Sequence, residues 1–536
     1  MTDQPNDPNT SNVQDRSTGS VARDVATVGL SMSGGGYRAS AWGLGALLAL
    51  SDLRSPHAPP SETVATVRMV ASVSGGSITN ADFGLGLDLS TATADDVDAR
   101  ATRLAPKLVG DRRFFLPVLL LMALVHLGVG LFLDGPLPNG FARWGVAAAA
   151  ATVVGVAVGP RSCDLLFGWW PAWLYVGVIA AGISAIVWLL AEPWGIADRL
   201  GWALLAIFAL AVVLAPRPYV VQHAFHMYLR GSGIDDPTLQ DLDGNVVHVI
   251  CAAEVSGSNL LYLGPGFAHN EDYGSSVAAG GTPVAAAVQA SSNLPGAFPI
   301  RWLSNKRLGL SGGGASAKRF LPVTDGGAYD NMGSQWFIGL RNRIRRLPEN
   351  GEAGAQIAAL LHQPDVVVIA NASGLGQTKW SPLVGIPLIG WVLGLLRIKT
   401  ILYEQTTASR RTSLINDRFD KDDPLGALVH IASTPAAYVR FQHASNPTQR
   451  TSRATGAFEA LGAQNWAEQA TANAGVATAF WPLSPTLMSQ VIHHAYLQTM
   501  LNMHVKLGTP LRMPARAEFD GLVAGRQRAL ETEWVP

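Results

Sequence analysis

Three short stretches of this chain carry residue types that could do chemistry, and each sits beside glycine. In 28-VGLSMSGGGYRASAWG-43 an apolar run enters three consecutive glycines, Gly34, Gly35 and Gly36, and a helix-like segment carrying Arg38 follows. In 68-RMVASVSGGSITNADFG-84 a strand-like run delivers Ser74 to a turn of small residues. In 320-FLPVTDGGAYDNMG-333 a third strand-like run ends at Asp325, followed by Gly326 and Gly327.

The second stretch has the shape of a nucleophile elbow, in which a tight strand-to-helix turn exposes a serine hydroxyl at the sheet edge. That pattern asks for glycine two residues before and two after the serine. Gly76 is present, but Ser72 stands in the first position. Ser72 and Ser77 are competing nucleophiles, less well placed for the turn. The third stretch puts a carboxylate at the C-terminal edge of a strand, where α/β sites assemble. Its simpler reading is an Asp-Gly turn whose carboxylate bonds its own backbone. A serine hydroxyl needs a general base at neutral pH, and a tetrahedral intermediate needs N–H donors aimed at its oxygen. Successive glycines at a strand-to-helix turn let backbone N–H groups converge. Gly34, Gly35 and Gly36 can supply them, with Arg38 holding the loop or adding positive potential. Together the three stretches specify acyl transfer.

Other chemistries fit less well. Gly34, Gly36 and Ala39 match G-x-G-x-x-A, but a dinucleotide site wants an acidic residue about 20 positions on, at the end of a second strand. Residues 51–62 read SDLRSPHAPPSE, a proline-rich loop. The Gly-Lys-Ser/Thr ending of a P-loop is missing. A Ser–Asp–His triad would draw its base from a later histidine such as His430 or His443, which nothing nearby marks out. His493 and His494 lie in a helix-like run that suits a surface or packed role. Cys163 and Cys251 fit neither a metal spacing nor a disulfide framework. No metal and no cofactor is expected.

The elements that must position these residues read as an α/β domain. VATVGLSMS and VRMVASV are apolar runs suited to buried parallel strands, and NVVHVICAAEV, FLPVTD and PDVVVIANAS continue the pattern. Residues 1–20 read as a disordered polar tail without a signal-peptide pattern. Residues 446–475 read as loops and a polar helix.

Composition adds a second theme. The chain is 48% hydrophobic and 15% charged, with zero formal net charge, against about 25% charged in an average soluble domain. Zero net charge argues against a nucleic-acid partner. Four runs without Asp, Glu, Lys or Arg, at 114–133, 144–159, 172–191 and 200–215, predict a four-helix transmembrane insertion over 113–217. Trp144, Trp169, Trp170, Trp194 and Trp202 cluster near the run ends, as interfacial aromatics do. Arg100, Arg103, Lys107, Arg112, Arg113, Arg161, Arg217 and Arg230 fall on the side of both flanks, against Arg143 and Arg199 opposite. The flanks, 21–112 and 218–536, are therefore expected on the cytoplasmic side as two parts of one catalytic domain. Ser74 precedes the runs and Asp325 follows them, so pairing them requires an even number of crossings. A buried helical subdomain is the alternative. The run 382–396, broken by Pro387 and flanked by Lys379, Arg397 and Lys399, reads equally as an interfacial segment or a core helix.

At this point the chain resembles the patatin-like phospholipase family. The resemblance lies in SGGGYR at 33–38, SVSGG at 72–76, DGGAYDN at 325–331 and 287-AVQASSNLPGAFP-299, an Ala-Ser-x-x-x-Pro helix start, and in their order. It covers most of 25–340 outside the apolar block. It implies a three-layer sandwich around a mostly parallel sheet and a Ser74–Asp325 dyad without histidine. It also implies an oxyanion loop at Gly34–Gly36, and hydrolysis of lipid acyl esters without a metal. Arg38, Gly76, Gly326 and Gly327 would support the site. The expected partners are a phospholipid, lysophospholipid or glyceride substrate and the bilayer; oligomeric state is not legible. The serine at position 72 and the inserted runs depart from the family pattern. A catalytically inactive membrane scaffold or transporter is the non-enzyme alternative, although His126 is the only Asp, Glu, Lys, Arg or His within the runs.

Overall fold

The computed structural model describes residues 26–55, 57–59, 65–109, 217–229, 234–295, 298–374, 405–415, 426–445, 449–462, 466–476, 483–530 and 534–535. The apolar runs at 114–133, 144–159, 172–191 and 200–215, the tail 1–20 and the segment 382–396 lie outside them.

A ten-stranded sheet organises the described residues. Its strands are β1 (Ala26–Met32), β2 (Ala65–Val73), β3 (Val247–Glu254), β4 (Asn259–Gly264), β5 (Phe267–Asn270), β6 (Gly274–Ser276), β7 (Arg301–Ser304), β8 (Phe320–Asp325), β9 (Val366–Asn371) and β10 (Gly426–His430). The order β10-β9-β1-β2-β3 is parallel throughout. Beyond β3 every pairing is antiparallel: β3–β4, β4–β5, β5–β6, β3–β8 and β8–β7. The sheet is therefore mixed, which corrects the expectation of a mostly parallel one. The cause is connection length. β3 to β6 are joined by turns of a few residues, and a short turn can only return the chain antiparallel, whereas a parallel neighbour needs a long crossover.

Helices cover both faces of the sheet. One core holds α1 (Gly36–Asp52), α2 (Gly76–Gly84), α3 (Ala94–Leu108), α4 (Arg217–Leu229), α5 (Val284–Ser291), α6 (Pro485–Leu507) and α7 (Arg516–Val523). A smaller core on the other face packs Met69, Ala71, Val73 and Cys251 against Trp336, Phe337 and Ile357. Strands from before residue 113 and after residue 217 share the one sheet. Residues 446–475 contain two helices, Gln449–Leu461 and Trp466–Ala474, rather than the loops and single helix expected.

Among the described residues no helix is long and apolar enough to cross a membrane. This conflicts with the expected multi-pass membrane protein and its four-helix transmembrane insertion, which the described residues do not show. Low charge content has a second physical source here. All residues of α1 are buried, and α6 is buried along most of its 23 residues. A helix enclosed by protein on every side sheds charge as one enclosed by lipid does.

Candidate active site

The site is assembled where two strands meet end to end. β2 pairs with β3 up to Val73 opposite Cys251. β8 pairs with β3 from Asp325 opposite Ala252. Since β4 occupies the other side of β3 at both residues, β2 and β8 lie on the same side, with their C-terminal ends facing. Val73 and Asp325 thus sit opposite consecutive residues of β3. Ser74 follows Val73 directly, so serine and carboxylate are neighbours at the sheet edge.

Ser74 turns sharply into α2. Its φ is 51°, a left-handed value that costs an L-residue about 1–2 kcal/mol. Ser258 is the other non-glycine residue with positive φ among those described, and it lies in an exposed hairpin turn, whereas Ser74 is buried. The strained turn is held from α5. The Ser74 N–H donates to Ser291 Oγ (2.9 Å), which donates to the Cys251 carbonyl (2.6 Å). The Ser291 carbonyl accepts from the Gly326 N–H (3.1 Å), and the Asn293 carbonyl accepts from the Asp325 N–H (3.1 Å). One segment therefore fixes both serine and aspartate. It is the end of a helix, α5, and not the helix start expected at 287–299.

The competing serines are occupied. Ser72 Oγ donates to the Val249 carbonyl (3.2 Å) and accepts from Asn80 Nδ2 (2.7 Å). Asn80 Oδ1 in turn accepts from His248 Nδ1 (2.7 Å), and burial pushes His248 down to about 4. Serine in the elbow's glycine position thus ties β2, β3 and α2 together. Ser77 Oγ pairs with Ser291 Oγ at 3.0 Å.

The glycine loop packs directly on the elbow. A Cβ on Gly75 would run into the Gly36 carbonyl, so two backbones touch where side chains have been removed. The Gly76 N–H donates to the Ser33 carbonyl (3.2 Å). Gly35 and Gly36 both have positive φ. Gly34 differs from its neighbours, since its N–H already donates to the Asn331 carbonyl (2.8 Å). Among the described residues no acceptor takes the N–H of Gly35, Gly36 or Gly75. Those three groups, at the N-termini of α1 and α2, can receive a developing oxyanion.

Asp325 Oδ1 accepts from the Gly327 N–H (2.7 Å), which fixes the plane of the carboxylate. The second acid of the motif, Asp330, is spent on structure. It accepts from the N–H groups of Met332 and Gln335 and pairs with Arg410 at 3.2 Å. Arg38 holds the loop: its guanidinium donates to the carbonyls of Ala474 (3.2 Å) and Val476.

Three residues gain roles that the sequence had left unassigned. Ser291 and Asn331 were visible only as members of motifs, and Gly75 only as a small residue. Asn331 lies between the two halves of the site. A Cβ on Gly34 would meet the Asn331 side-chain oxygen at 2.2 Å and Ser74 Cβ at 3.2 Å, and a Cβ on Gly327 would meet the same oxygen at 2.8 Å. Its Nδ2 donates to Ser373 Oγ (2.8 Å).

The late histidines are placed elsewhere. His430 ends β10, three strands from β2, or about 14 Å at sheet spacing. Burial and Arg411 push it down to about 3. His493 and His494, both in α6, donate to the carbonyls of Pro514 and Ser433. Among the described residues no group of three or more His, Cys, Asp or Glu could hold a metal ion. No protein-family model matches the chain, and no curated protein is significantly similar to it.

Proposed function

We propose that this protein is a serine acyl hydrolase of the patatin-like kind, acting on lipid esters through a Ser74–Asp325 dyad. The observation that carries the reading is Ser74 itself. A buried serine in a left-handed conformation is costly and persists only where its surroundings impose it, and such strain clusters at reactive sites. Here the imposing groups are Ser291 and Gly75, and the nearest strand end brings a carboxylate.

The chemistry follows from the groups present. Asp325 takes the proton of the Ser74 hydroxyl as Oγ attacks the acyl carbon. The carbonyl oxygen becomes an oxyanion among the N–H groups of Gly35, Gly36 and Gly75, where one such donor is worth about 10²–10³ in rate. Collapse breaks the ester bond, and Asp325 returns the proton to the departing alkoxide. Water then attacks the acyl-enzyme, Asp325 accepts its proton, and Ser74 leaves with the proton restored as the free acid departs.

Turnover tests the reading. Purified protein should release fatty acid from a fluorogenic acyl ester and from phospholipid. Ser74→Ala and Asp325→Asn should each lose at least about 10³-fold with unchanged melting temperature. Full activity in either variant would exclude the dyad.

A further inference from the structure

The ribbon formed by β7 and β8 stands up from the edge of the sheet that carries the site. β8 reaches the level of Ser74 only at Asp325, so Phe320 lies about 17 Å further out along the strand. Register places Trp302 opposite Pro322 and Ser304 opposite Phe320. Alternation then puts Ile300, Trp302, Phe320 and Pro322 on one face. Trp302 is 52% exposed, Ile300 45% and Phe320 43%, and Val255, bonded through its N–H to the Pro322 carbonyl, is 41% exposed. Single exposed apolar residues are ordinary, but a contiguous strip of them marks a contact surface.

Charge says what the strip contacts. The chain as a whole has 39 basic and 39 acidic residues. Yet from Tyr273 to Thr324 it contains Arg301, Lys306, Arg307, Lys318 and Arg319 and no Asp or Glu. Lys306 and Arg307 are exposed on the short helix Asn305–Leu308 at the outer end of the ribbon. Arg319 is exposed beside them, its guanidinium 5.4 Å from the Phe320 ring. A tryptophan and a phenylalanine flanked by cations match the boundary of an anionic bilayer: rings settle at headgroup depth, and basic side chains take up anionic headgroups.

We propose that the β7–β8 ribbon seats the protein on an anionic lipid surface, with Trp302, Phe320 and Ile300 entering the interface and Lys306, Arg307 and Arg319 binding headgroups. Its use in catalysis rests on the lipid-ester reading, because the ribbon would hold the mouth of the site against its substrate. The docking itself is independent of the chemistry.

The test reads position 302 directly in the full-length chain. Trp302→Cys, in a Cys163→Ser background with Cys251 buried, is labelled with an environment-sensitive fluorophore and titrated with phosphatidylglycerol or phosphatidylcholine vesicles. The same label on Leu360→Cys, an exposed position on the helix Gly351–Leu360, is the control. Phosphatidylglycerol should raise the emission at 302 several-fold, with quenching by nitroxide-labelled lipid, and leave 360 unchanged. Lys306→Gln, Arg307→Gln and Arg319→Gln together should shift the midpoint to about 100-fold more lipid. A label at 302 that responds no more than the one at 360, or equally to both lipids, overturns the proposal. Insertion at 302 that persists in Ser74→Ala supports docking whatever the chemistry. Hydrolysis by a protein whose 302 label stays in water would defeat docking and leave the hydrolase reading standing.

Discussion

The two ends of helix α1 are built on opposite principles. At Gly36 side chains have been removed, backbone touches backbone, and N–H groups find no acceptor among the described residues. At Asp52, about 25 Å away along the helix, charge is concentrated instead. Asp52 accepts from Tyr496 Oη (2.8 Å), Arg512 Nη1 (3.0 Å) and Arg528 Nη1 and Nη2 (3.0 and 2.9 Å). Arg528 also pairs with Asp98 (2.6 Å), and Arg512 with Glu518 (2.8 Å). An acid in the last turn is on the wrong end of the helix dipole, so the arginines are what make it tolerable. Burial works against the Arg528 charge, but Asp52 and Asp98 hold its guanidinium well above the ordinary value. The network joins α1, α3, α6 and α7 to the last part of the chain. The lesson is a division of labour along one helix: one end locks the fold, and in the proposed hydrolase the other would present a strained serine and backbone donors to substrate.

The charged end is the more sensitive of the two to substitution. Arg528→Met takes the guanidinium from buried Asp98 and one of the two that pair with Asp52, and should destabilise the protein by about 3–5 kcal/mol, read as a lower denaturation midpoint. An unchanged midpoint would show that the fold is locked elsewhere.

Acid should act next. His248, His493 and His494 are pushed down to about 4 and His430 to about 3, in each case first by burial. Below the ordinary histidine pKa of about 6.5 the unfolded chain binds protons that the folded protein refuses, so stability is complete above pH 6.5 and falls on the way down towards pH 4. At pH 5 each such histidine can cost up to about 2 kcal/mol. Melting temperatures from pH 7.5 to 5 should therefore fall steadily; a flat profile would mean that these rings charge freely in the fold.

At the glycine end the effects on stability shrink while those on activity grow. Ser291→Ala removes the acceptor of the Ser74 N–H and should cost about 1–3 kcal/mol, with hydrolysis reduced beyond what lost folded protein explains. A loss of stability without that excess would make Ser291 purely structural. Smallest of all, Ser74→Gly relieves the left-handed strain and should raise stability by about 1 kcal/mol while abolishing turnover. A lower melting temperature for this variant would mean that the serine is not strained.

What the sequence revealed depended on how local the signal was. The apolar runs of β1, β2, β3 and β9 were legible because a buried parallel strand is apolar on both faces. The hairpins β4 to β6 were not, since NLLYLGPGFAHNEDYGSS is broken by glycine and polar residues, and their short turns are what make the sheet mixed. Ser74 and Asp325 were visible as residues beside glycine pairs, but the reversed direction of β8, which brings them together, leaves no mark in FLPVTD. Ser72 counted against the elbow until Asn80, on the next helix, gave its hydroxyl a partner. Asp52 and Arg528 are 476 residues apart, and no spacing rule links them. The four apolar runs were read as membrane spans from their lack of charge, the tryptophans near their ends and the basic residues of their loops, and a helix buried in protein, such as α1, is equally poor in charge.

The central claim is that Ser74 is the nucleophile. Treating the protein with a fluorophosphonate and locating the adduct by peptide mass spectrometry tests it most directly. A single adduct on Ser74 is expected, slowed in Asp325→Asn and absent in Ser74→Ala. An adduct on Ser72 or Ser77, or labelling that persists in Ser74→Ala, would contradict it.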